Sequence, residues 1–161
     1  MARQFSLPQH LAIAQLLPPA ADAAGRTSNY LNVGKGHKAW IVVHVSQGNA
    51  ATIALTPLQA KDVSGTGSKA ITATRIWVDS NEGVSDAKVL QSPNAANFTT
   101  DAGTNNKTVI FEILPEECMD MANGFHTVAI QTGPSNAANI TEAMLYVDPR
   151  FQQAIPPTLL T

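Results

Sequence analysis

Residues 38–55 read KAWIVVHVSQGNAATIAL, and this stretch decides the fold class. Residues 39–45 are so rich in β-branched and aromatic side chains that they predict a strand rather than a helix. Apolar side chains fall on both faces of this strand, which indicates a central strand buried on both sides. Residues 51–56 alternate between bulky and small or polar side chains, as in an antiparallel sheet with one solvated face. We therefore predict a hairpin of these two strands, joined by a turn at residues 46–49.

Strand-like segments recur along the chain at intervals of roughly ten to fifteen residues, with turn residues between them. Pro57 is expected to end the second strand, and residues 115–121 fit one or two helical turns opened by a proline and two acids. The last two strands are expected to pair with each other. This spacing predicts an all-β fold, an antiparallel β-sandwich or jelly roll of about eight strands, with an up-and-down barrel as the alternative. The remaining predicted strands are 28–33, 70–79, 87–90, 97–100, 107–114, 125–131 and 140–147.

The predicted domain organisation has three parts: an N-terminal arm (1–26), a β-sandwich domain (27–149) and a C-terminal tail (150–161). Within the arm, residues 9–17 fit two helical turns between Pro8 and the pair Pro18–Pro19. A helix this short is marginal in water, so we expect it to dock on its own domain or on a neighbouring subunit. We expect residues 27–147 to fold alone. Residues 11–17 make too short an apolar run for a convincing signal peptide, and no segment approaches the roughly 18 apolar residues of a membrane span.

The amino-acid composition favours some classes of function and argues against others. Charged residues make up 14% of the 161 residues, well below the roughly 25% of an average soluble domain. Such a surface repels neighbours poorly and suits a protein that packs against others. The net charge of −2 and the scattered basic residues argue against binding to nucleic acid or to an anionic membrane. Because Cys118 is the single cysteine, the chain has no internal disulfide and no thiolate metal cluster.

Two glycine-containing runs were considered as phosphate sites. The run GKGHK at residues 34–38 lacks the six-residue frame of a phosphate loop, and no amphipathic helix follows it. We interpret it as a hairpin turn. The run SGTGS at residues 64–68 fails the dinucleotide pattern for the same reasons and is predicted to be a flexible loop.

The histidines do not have the spacing of metal ligands. His10, His37, His44 and His126 are spread over the arm, a turn and two strands, with no pair at i and i+2 and no HExxH. A metal site would require His37 and His44 to approach each other in space, and we do not expect one.

The acidic residues likewise form no recognisable catalytic pair. Asp79, Glu82 and Asp86 surround the turn at 80–85, but they lack the regular spacing of a calcium loop, and we predict a solvated turn. The adjacent Glu116 and Glu117 are interpreted as acids at a helix start. No nucleophile motif occurs, so we expect no catalytic residues, no cofactor and no metal, and we predict that the protein is not an enzyme.

Aromatic side chains offer one further candidate surface. Trp40, Trp77, Tyr30, Tyr146 and Phe111 could line a sugar-binding face. Each lies in a predicted strand with apolar companions, so our prediction is that they pack in the core.

Three phrases of the sequence resemble small virion structural proteins of tailed bacteriophages, closest to head decoration (cement) or minor capsid proteins. They are the alanine- and proline-rich N-terminal segment, the stretch 31–55 around WIVVHVSQGNAAT, and the ending SNAANITEAMLYVDPRF. Such proteins are β-sandwich or β-barrel modules on the shell, often trimers, which clamp major capsid subunits through loops and extended termini. The resemblance has no catalytic residues to transfer.

The leading hypothesis is therefore a decoration protein that binds the major capsid protein on the outside of the virion, forms a homotrimer and is made in the cytoplasm of the host bacterium. On this hypothesis residues 1–26 and 152–161 are needed for attachment. Another virion component, such as a tail or head–tail joining protein, remains open. The alternative class is a carbohydrate- or receptor-binding β-sandwich, and a small β-sandwich enzyme is the third.

Overall fold

A computed structural model describes residues 6–151 and 158–160 of the chain. Two short helices lie in this part of the chain, α1 (Leu7–His10) and α2 (Pro115–Cys118), with a 3-10 turn at Met121–Asn123. No helix among the described residues is long and apolar enough to cross a membrane. The strands are β1 (Ala12–Ala21), β2 (Arg26–Thr27), β3 (Leu31–Asn32), β4 (Gly36–Gln47), β5 (Ala54–Ala60), β6 (Lys69–Ala70), β7 (Arg75–Asp79), β8 (Val89–Leu90), β9 (Phe98–Thr99), β10 (Asn106–Ile113), β11 (Thr127–Thr132) and β12 (Asn139–Pro149).

The strands form two antiparallel sheets that pack face to face. Sheet A has the order β1-β12-β4-β10-β7-β8, and sheet B has the order β2-β11-β5-β6, with β3 paired to β11 and β9 paired to β5. The predicted all-β antiparallel sandwich is confirmed. The structure has twelve strands among the described residues, five of them only two residues long, where the sequence pattern predicts about eight.

The core lies between the inner faces of the two sheets. Ile41 and Val43 of β4, Phe111 of β10 and Leu145 of β12 contribute from sheet A, and Ile130 of β11 contributes from sheet B, all with no measurable exposure. Full burial of each such side chain contributes about 1.5–3 kcal/mol. As predicted, β4 is a central strand, because it lies between β12 and β10.

The predicted hairpin of residues 39–45 and 51–56 is wrong. β4 belongs to sheet A and β5 to sheet B, and the chain between them crosses from one sheet to the other. Asn139 of β12 holds this crossing: its Oδ1 accepts from Asn49 N–H at 2.8 Å, and its Nδ2 donates to the carbonyl of Ala51 at 2.8 Å. The expected final strand pair is wrong for the same reason, since β11 lies in sheet B and β12 in sheet A.

Pro57 does not end a strand, contrary to the prediction, but lies in the middle of β5. Its carbonyl accepts a hydrogen bond from Ile71 N–H at 3.0 Å, on the side away from β11. The N–H and C=O of a strand residue point to the same side, so the missing proline donor does not interrupt the ladder to β11.

The N-terminal segment is part of the sandwich over much of its length. Only Leu7–His10 is helical, so the expectation of helical turns over residues 9–17 is wrong. Residues 12–21 form β1, the edge strand of sheet A, which pairs with β12 through two register shifts around Leu17. Pairing provides hydrogen-bond partners for the backbone N–H and C=O groups of β1. Burial of Leu16 and Leu17, each 3% exposed, adds the free energy gained by removing apolar surface from water.

The end of the chain also contacts the domain. Leu159 is 7% exposed and belongs to the core cluster, and its carbonyl accepts from Asn32 N–H at 2.7 Å. It lies at a cleft of about 440 Å³ between the edge strands β1 and β3, with Leu11 and Leu31 among the lining residues. The predicted tail at 150–161 is thus anchored at Leu159, while residues 152–157 lie outside the described part.

Candidate functional site: the outer face of sheet A

The alternation of side chains along β4 gives sheet A two different faces. Ala39, Ile41 and Val43 are fully buried, whereas Trp40 and Val42 between them are partly exposed. Successive side chains of a strand point to opposite faces, so the first set lines the core and the second set faces outward. The prediction that both faces of this strand are buried is therefore wrong for the outer face.

A row of apolar side chains crosses the outer face at right angles to the strands. The register aligns one residue from each of β12, β4, β10, β7 and β8, namely Met144, Val42, Ile110, Trp77 and Leu90. Neighbouring strands lie about 4.8 Å apart, so this row is about 19 Å long.

A second row beside it adds two aromatic rings. Tyr146 of β12 lies opposite Trp40 of β4, and Ile13 of β1 lies opposite Tyr146. Ile13 is 38% exposed at one side of the sheet, and Leu90 is 41% exposed at the other. The eight residues of the two rows form a continuous apolar surface across all six strands, which we call the outer patch.

Sheet B does not have a comparable open face. Leu58 and Ala129 are cross-strand neighbours on the side of sheet B opposite to Val128 and Ile130, which point into the core. Both are nevertheless buried, at 9% and 0% exposure. The sandwich is therefore asymmetric, with an open apolar surface on sheet A. Large exposed apolar surfaces of this kind mark interaction sites.

Glu112 of β10 fixes the indole rings of the outer patch. Its carboxylate accepts from Trp77 Nε1 at 3.0 Å, pairs with Lys38 and lies 3.9 Å from Arg75. Lys38 Nζ also lies 5.3 Å from the centre of the Trp40 ring. Burial favours the protonated carboxyl, but the hydrogen bonds from Lys38 and Trp77 outweigh burial and hold the pKa of Glu112 below its ordinary value.

The acidic turn beside the outer patch is neutralised by a lysine. Lys88 Nζ lies 3.2 Å from Asp79 Oδ2 and 3.4 Å from Glu82 Oε1, between the two carboxylates. A hydrogen bond from Asn81 N–H, together with Lys88, lowers the pKa of Asp79. Asp86 contributes its backbone carbonyl to Lys88 at 3.5 Å. Two carboxylates and one backbone carbonyl of this turn therefore surround the ammonium group. The turn was predicted to be solvated, but Asp79 is buried.

A hollow of about 410 Å³ lies beside this turn, at the end of the outer patch. His44 and Glu142 line it as cross-strand neighbours, together with Glu82 and the exposed Ile140. His44 Nδ1 lies 3.0 Å from the hydroxyl of Thr108 and 4.0 Å from a carboxylate oxygen of Glu82.

The histidines do not converge. His37 and His44 lie seven residues apart on β4, which places them about 23 Å apart along the strand. They are therefore too far apart to bind one metal ion together. His10 Nδ1 and His126 Nδ1 each lie 2.7 Å from a nearby backbone carbonyl oxygen. Among the described residues, no group of three His, Cys, Asp or Glu side chains could hold a metal ion.

The predicted core position of the aromatic residues holds for one of the five. Phe111 is fully buried in the core. Tyr30 is partly buried, and its hydroxyl lies 2.5 Å from Ser68 Oγ, away from sheet A. Trp40, Trp77 and Tyr146 are in the outer patch, which corrects the prediction for these three.

The remaining sequence candidates have local structural roles. The run at 34–38 lies at the turn from β3 to β4, where Gly36 N–H donates a hydrogen bond to the Val33 carbonyl. This turn connects a strand of sheet B to a strand of sheet A, so it is not the predicted hairpin turn. Asp62 Oδ1 accepts from Ser64 and Thr66 N–H and orders the predicted loop at 64–68. Glu116 and Glu117 lie in the first turn of α2, as predicted, and Cys118 Sγ lies 3.4 Å from the Ala73 carbonyl.

Sequence reasoning missed Glu112, the residue that organises the patch. It lies in the segment KTVIFEIL, where it is the single carboxylate in an otherwise strongly apolar strand. A lone charge at such a position requires a partner when it is buried. That signal could have identified it, but the partners come from β4 and β7, which only the register reveals.

No family model matches the sequence, and no curated protein matches it. The chain is similar to the SPBc2 prophage-derived protein YomS, known from a crystal structure, with a TM-score of 0.47 and 11% sequence identity over 85% of this chain and 92% of that chain.

Proposed function

We propose that this chain is a structural protein of a bacteriophage virion, which binds the outside of the capsid and stabilises the shell by bridging major capsid subunits. The observation that carries the proposal is the outer patch, an open apolar surface about 19 Å long on one side of the sandwich. The resemblance of the sequence phrases to virion proteins supports the assignment to a virion.

The composition of the outer patch suits contact with another protein. Aromatic residues, methionine and arginine are enriched at the centres of protein interfaces, and the patch has Trp40, Trp77, Tyr146 and Met144, with Arg75 beside them. The hydrogen bond from Trp77 to Glu112 and the contact of Lys38 with the Trp40 ring position the two indoles before any partner arrives, which reduces the entropy lost on binding. The patch is a surface for binding rather than for catalysis, and the proposed protein is not an enzyme.

The proposal assigns attachment to the sheet face rather than to the termini alone. β1 and Leu159 are engaged in the domain, so they stabilise the sandwich that displays the patch. Assembly as a homotrimer, the major capsid protein as partner, and synthesis in the host cytoplasm follow from the resemblance and belong to the same proposal.

The test is co-sedimentation with shells of the source phage that lack this chain. Val42→Asp places a charge in the middle of the apolar row and is expected to weaken binding about tenfold or more. Val63→Asp is the matched control, because Val63 is 41% exposed in the loop after β5, away from sheet A. Retained binding by a folded V42D variant would reject the patch as the contact.

Quantitative mass spectrometry of purified particles separates the virion alternatives. A copy number comparable to that of the major shell subunit is expected for a decoration protein. A few copies per particle would instead indicate a tail or head–tail joining protein, and absence from the particle would reject the proposal.

A carbohydrate-binding module is the second candidate. It is favoured by one observation, the alignment of Trp40, Trp77 and Tyr146 on one open face, because sugars stack on exposed aromatic rings. Binding to a glycan array that Tyr146→Ala abolishes without loss of fold, combined with no binding to shells, would favour this candidate.

A further inference from the structure

The outer face carries two carboxylates that have no ion pair among the described residues. Glu142 and Asp148 both point outward from β12, on either side of Met144 and Tyr146. Among the described residues neither has an ion pair within 4 Å. The neighbour of Asp148 across the strands, Lys38, is paired with Glu112 instead.

The spacing of these two carboxylates is fixed by the strand. They are six residues apart, an even number, and therefore lie on the same face of β12. At about 3.4 Å per residue their separation is about 20 Å along the strand. At each side of its Met144–Tyr146 edge, the outer patch thus ends in a carboxylate that has no ion pair among the described residues.

The surroundings of Glu142 leave room for a side chain from a partner. Its hollow of about 410 Å³ is lined by His44, Glu82 and Ile140, and Ile140 is 45% exposed. Lys107, which also lines the hollow, is fully buried and engaged with Asp101 at 3.1 Å, so it does not serve as the counter-ion of Glu142.

The charges on the outer face indicate whether its binding partner is a second copy of this chain or a different protein. The outer face and the acidic turn beside it include five carboxylates (Glu142, Asp148, Glu112, Asp79, Glu82) against three basic side chains (Lys38, Arg75, Lys88). A symmetric pair of copies, face against face, would bring two surfaces with excess negative charge together. The three basic side chains of this face already lie within 4 Å of carboxylates of their own chain. A partner with basic side chains is electrostatically complementary.

We propose that the outer face of sheet A docks a different protein whose surface presents an apolar ridge between two basic side chains about 20 Å apart, received by Glu142 and Asp148. This inference rests on the proposed function, because the partner is then the exterior of the shell. The ridge covers the outer patch, and a lysine or arginine enters the hollow beside Glu142.

The experiment measures co-sedimentation of the full chain with shells that lack it, at about 50 and 200 mM salt. Glu142→Gln and Asp148→Asn are each expected to weaken binding about threefold and to reduce its salt dependence. Glu142→Lys is expected to weaken binding about tenfold or more, because two like charges would meet. Glu117→Gln and Glu117→Lys are the matched controls, since Glu117 is an exposed carboxylate of α2 without an ion pair among the described residues, and they should bind like the wild type.

The outcomes separate the two proposals. If the wild type binds shells and the Glu142 and Asp148 variants bind equally well with the same salt dependence, the docking inference is rejected while the proposed function stands. If the wild type does not bind shells, both fail. Dimerisation of the free wild type through the outer face, measured by sedimentation velocity with V42D for comparison, would replace the basic partner by a second copy. Glu142→Gln is nearly isosteric, so it tests the inference even if Glu142→Lys fails to fold.

Discussion

Glu112 shows how much of the surface depends on one side chain. The residue is 6% exposed, and its carboxylate bonds to groups from two other strands, the indole of Trp77 on β7 and the ammonium of Lys38 on β4. A buried carboxylate that lost these partners would retain its desolvation cost without compensation. The outer patch is therefore ordered by a polar group beneath it as well as by its own apolar contacts.

The pH dependence of stability follows from this arrangement. The pKa of Glu112 is held below its ordinary value of 4.5, so its contribution to stability is complete above pH 4.5 and is lost as the pH falls towards the lowered value. We expect Glu112→Gln to flatten the acid side of a plot of unfolding free energy against pH, measured with urea between about pH 7 and 3. Glu117→Gln should leave the slope unchanged. Parallel curves for the wild type and E112Q would contradict the argument.

Two adjacent leucines near the chain end test the anchor of the tail. Leu159 is 7% exposed in the core cluster, whereas Leu160 is 70% exposed. We expect Leu159→Ala to lower the free energy of unfolding by about 2–4 kcal/mol, since it leaves a cavity beside β1 and β3. The same change at Leu160 should cost less than about 0.5 kcal/mol. Equal effects in urea titrations would show that the anchor contributes nothing.

Individual elements differ in how far the sequence determines them. β4 and β10 are predicted within a few residues, because runs of β-branched and aromatic side chains have few other uses. The phrase Asn-Ala-Ala forms a turn at two places, because the asparagine side chain bonds to the backbone two residues on: Asn49 Oδ1 accepts from Ala51 N–H, and Asn136 Oδ1 accepts from Ala138 N–H, each at 2.9 Å.

Strand partners are what the local sequence does not encode. A turn at Ser46–Asn49 is compatible with a hairpin and with a crossing to the other sheet, and Asn139, ninety residues further on, selects the crossing. Similarly, alternation assigns Trp40 and Val42 to one face of β4 correctly. Whether that face is covered depends on which other elements pack against it. Sheet B packs against the opposite face of β4.

The edge strand β1 gives the sharpest test at this scale. Residues 27–147 are predicted from the sequence to fold alone, but β1 pairs with β12 and contributes Leu16 and Leu17 to the core. Removal of residues 1–21 exposes both side chains and the edge of β12, so we expect a loss of about 3–6 kcal/mol or failure to fold. Thermal and urea unfolding of the truncated chain give the measurement. A truncated chain as stable as the whole protein would restore the original expectation.

The whole molecule is a sandwich with one closed and one open side. The Leu58–Ala129 pair on sheet B is buried, whereas the outer patch on sheet A is open. The two outer faces therefore differ, and in the proposed complex sheet A would face the shell. A symmetric sandwich would present no preferred face to a partner. This asymmetry makes orientation a property of the fold and not only of the termini.

Oxidative footprinting tests that orientation directly. Hydroxyl radicals oxidise accessible Met and Trp side chains, so Met144 and Trp77 should react in the free chain and become protected on shells. Met121 is the internal control, because it is partly exposed in the 3-10 turn and lies outside sheet A. Protection of Met121 with continued oxidation of Met144 would mean that the molecule attaches by another side.

The central position of β4 also has a consequence for the timing of synthesis. Its two neighbours are β10, some sixty residues later in the chain, and β12, some hundred residues later. β4 is synthesised early, yet no ladder can form on either of its edges until β10, which ends at Ile113, has been translated. Sheets built on such distant pairings fold slowly. The most apolar segment of the nascent chain therefore remains unpaired during much of translation. We expect chaperones that bind the nascent chain to bind mainly at residues 39–45.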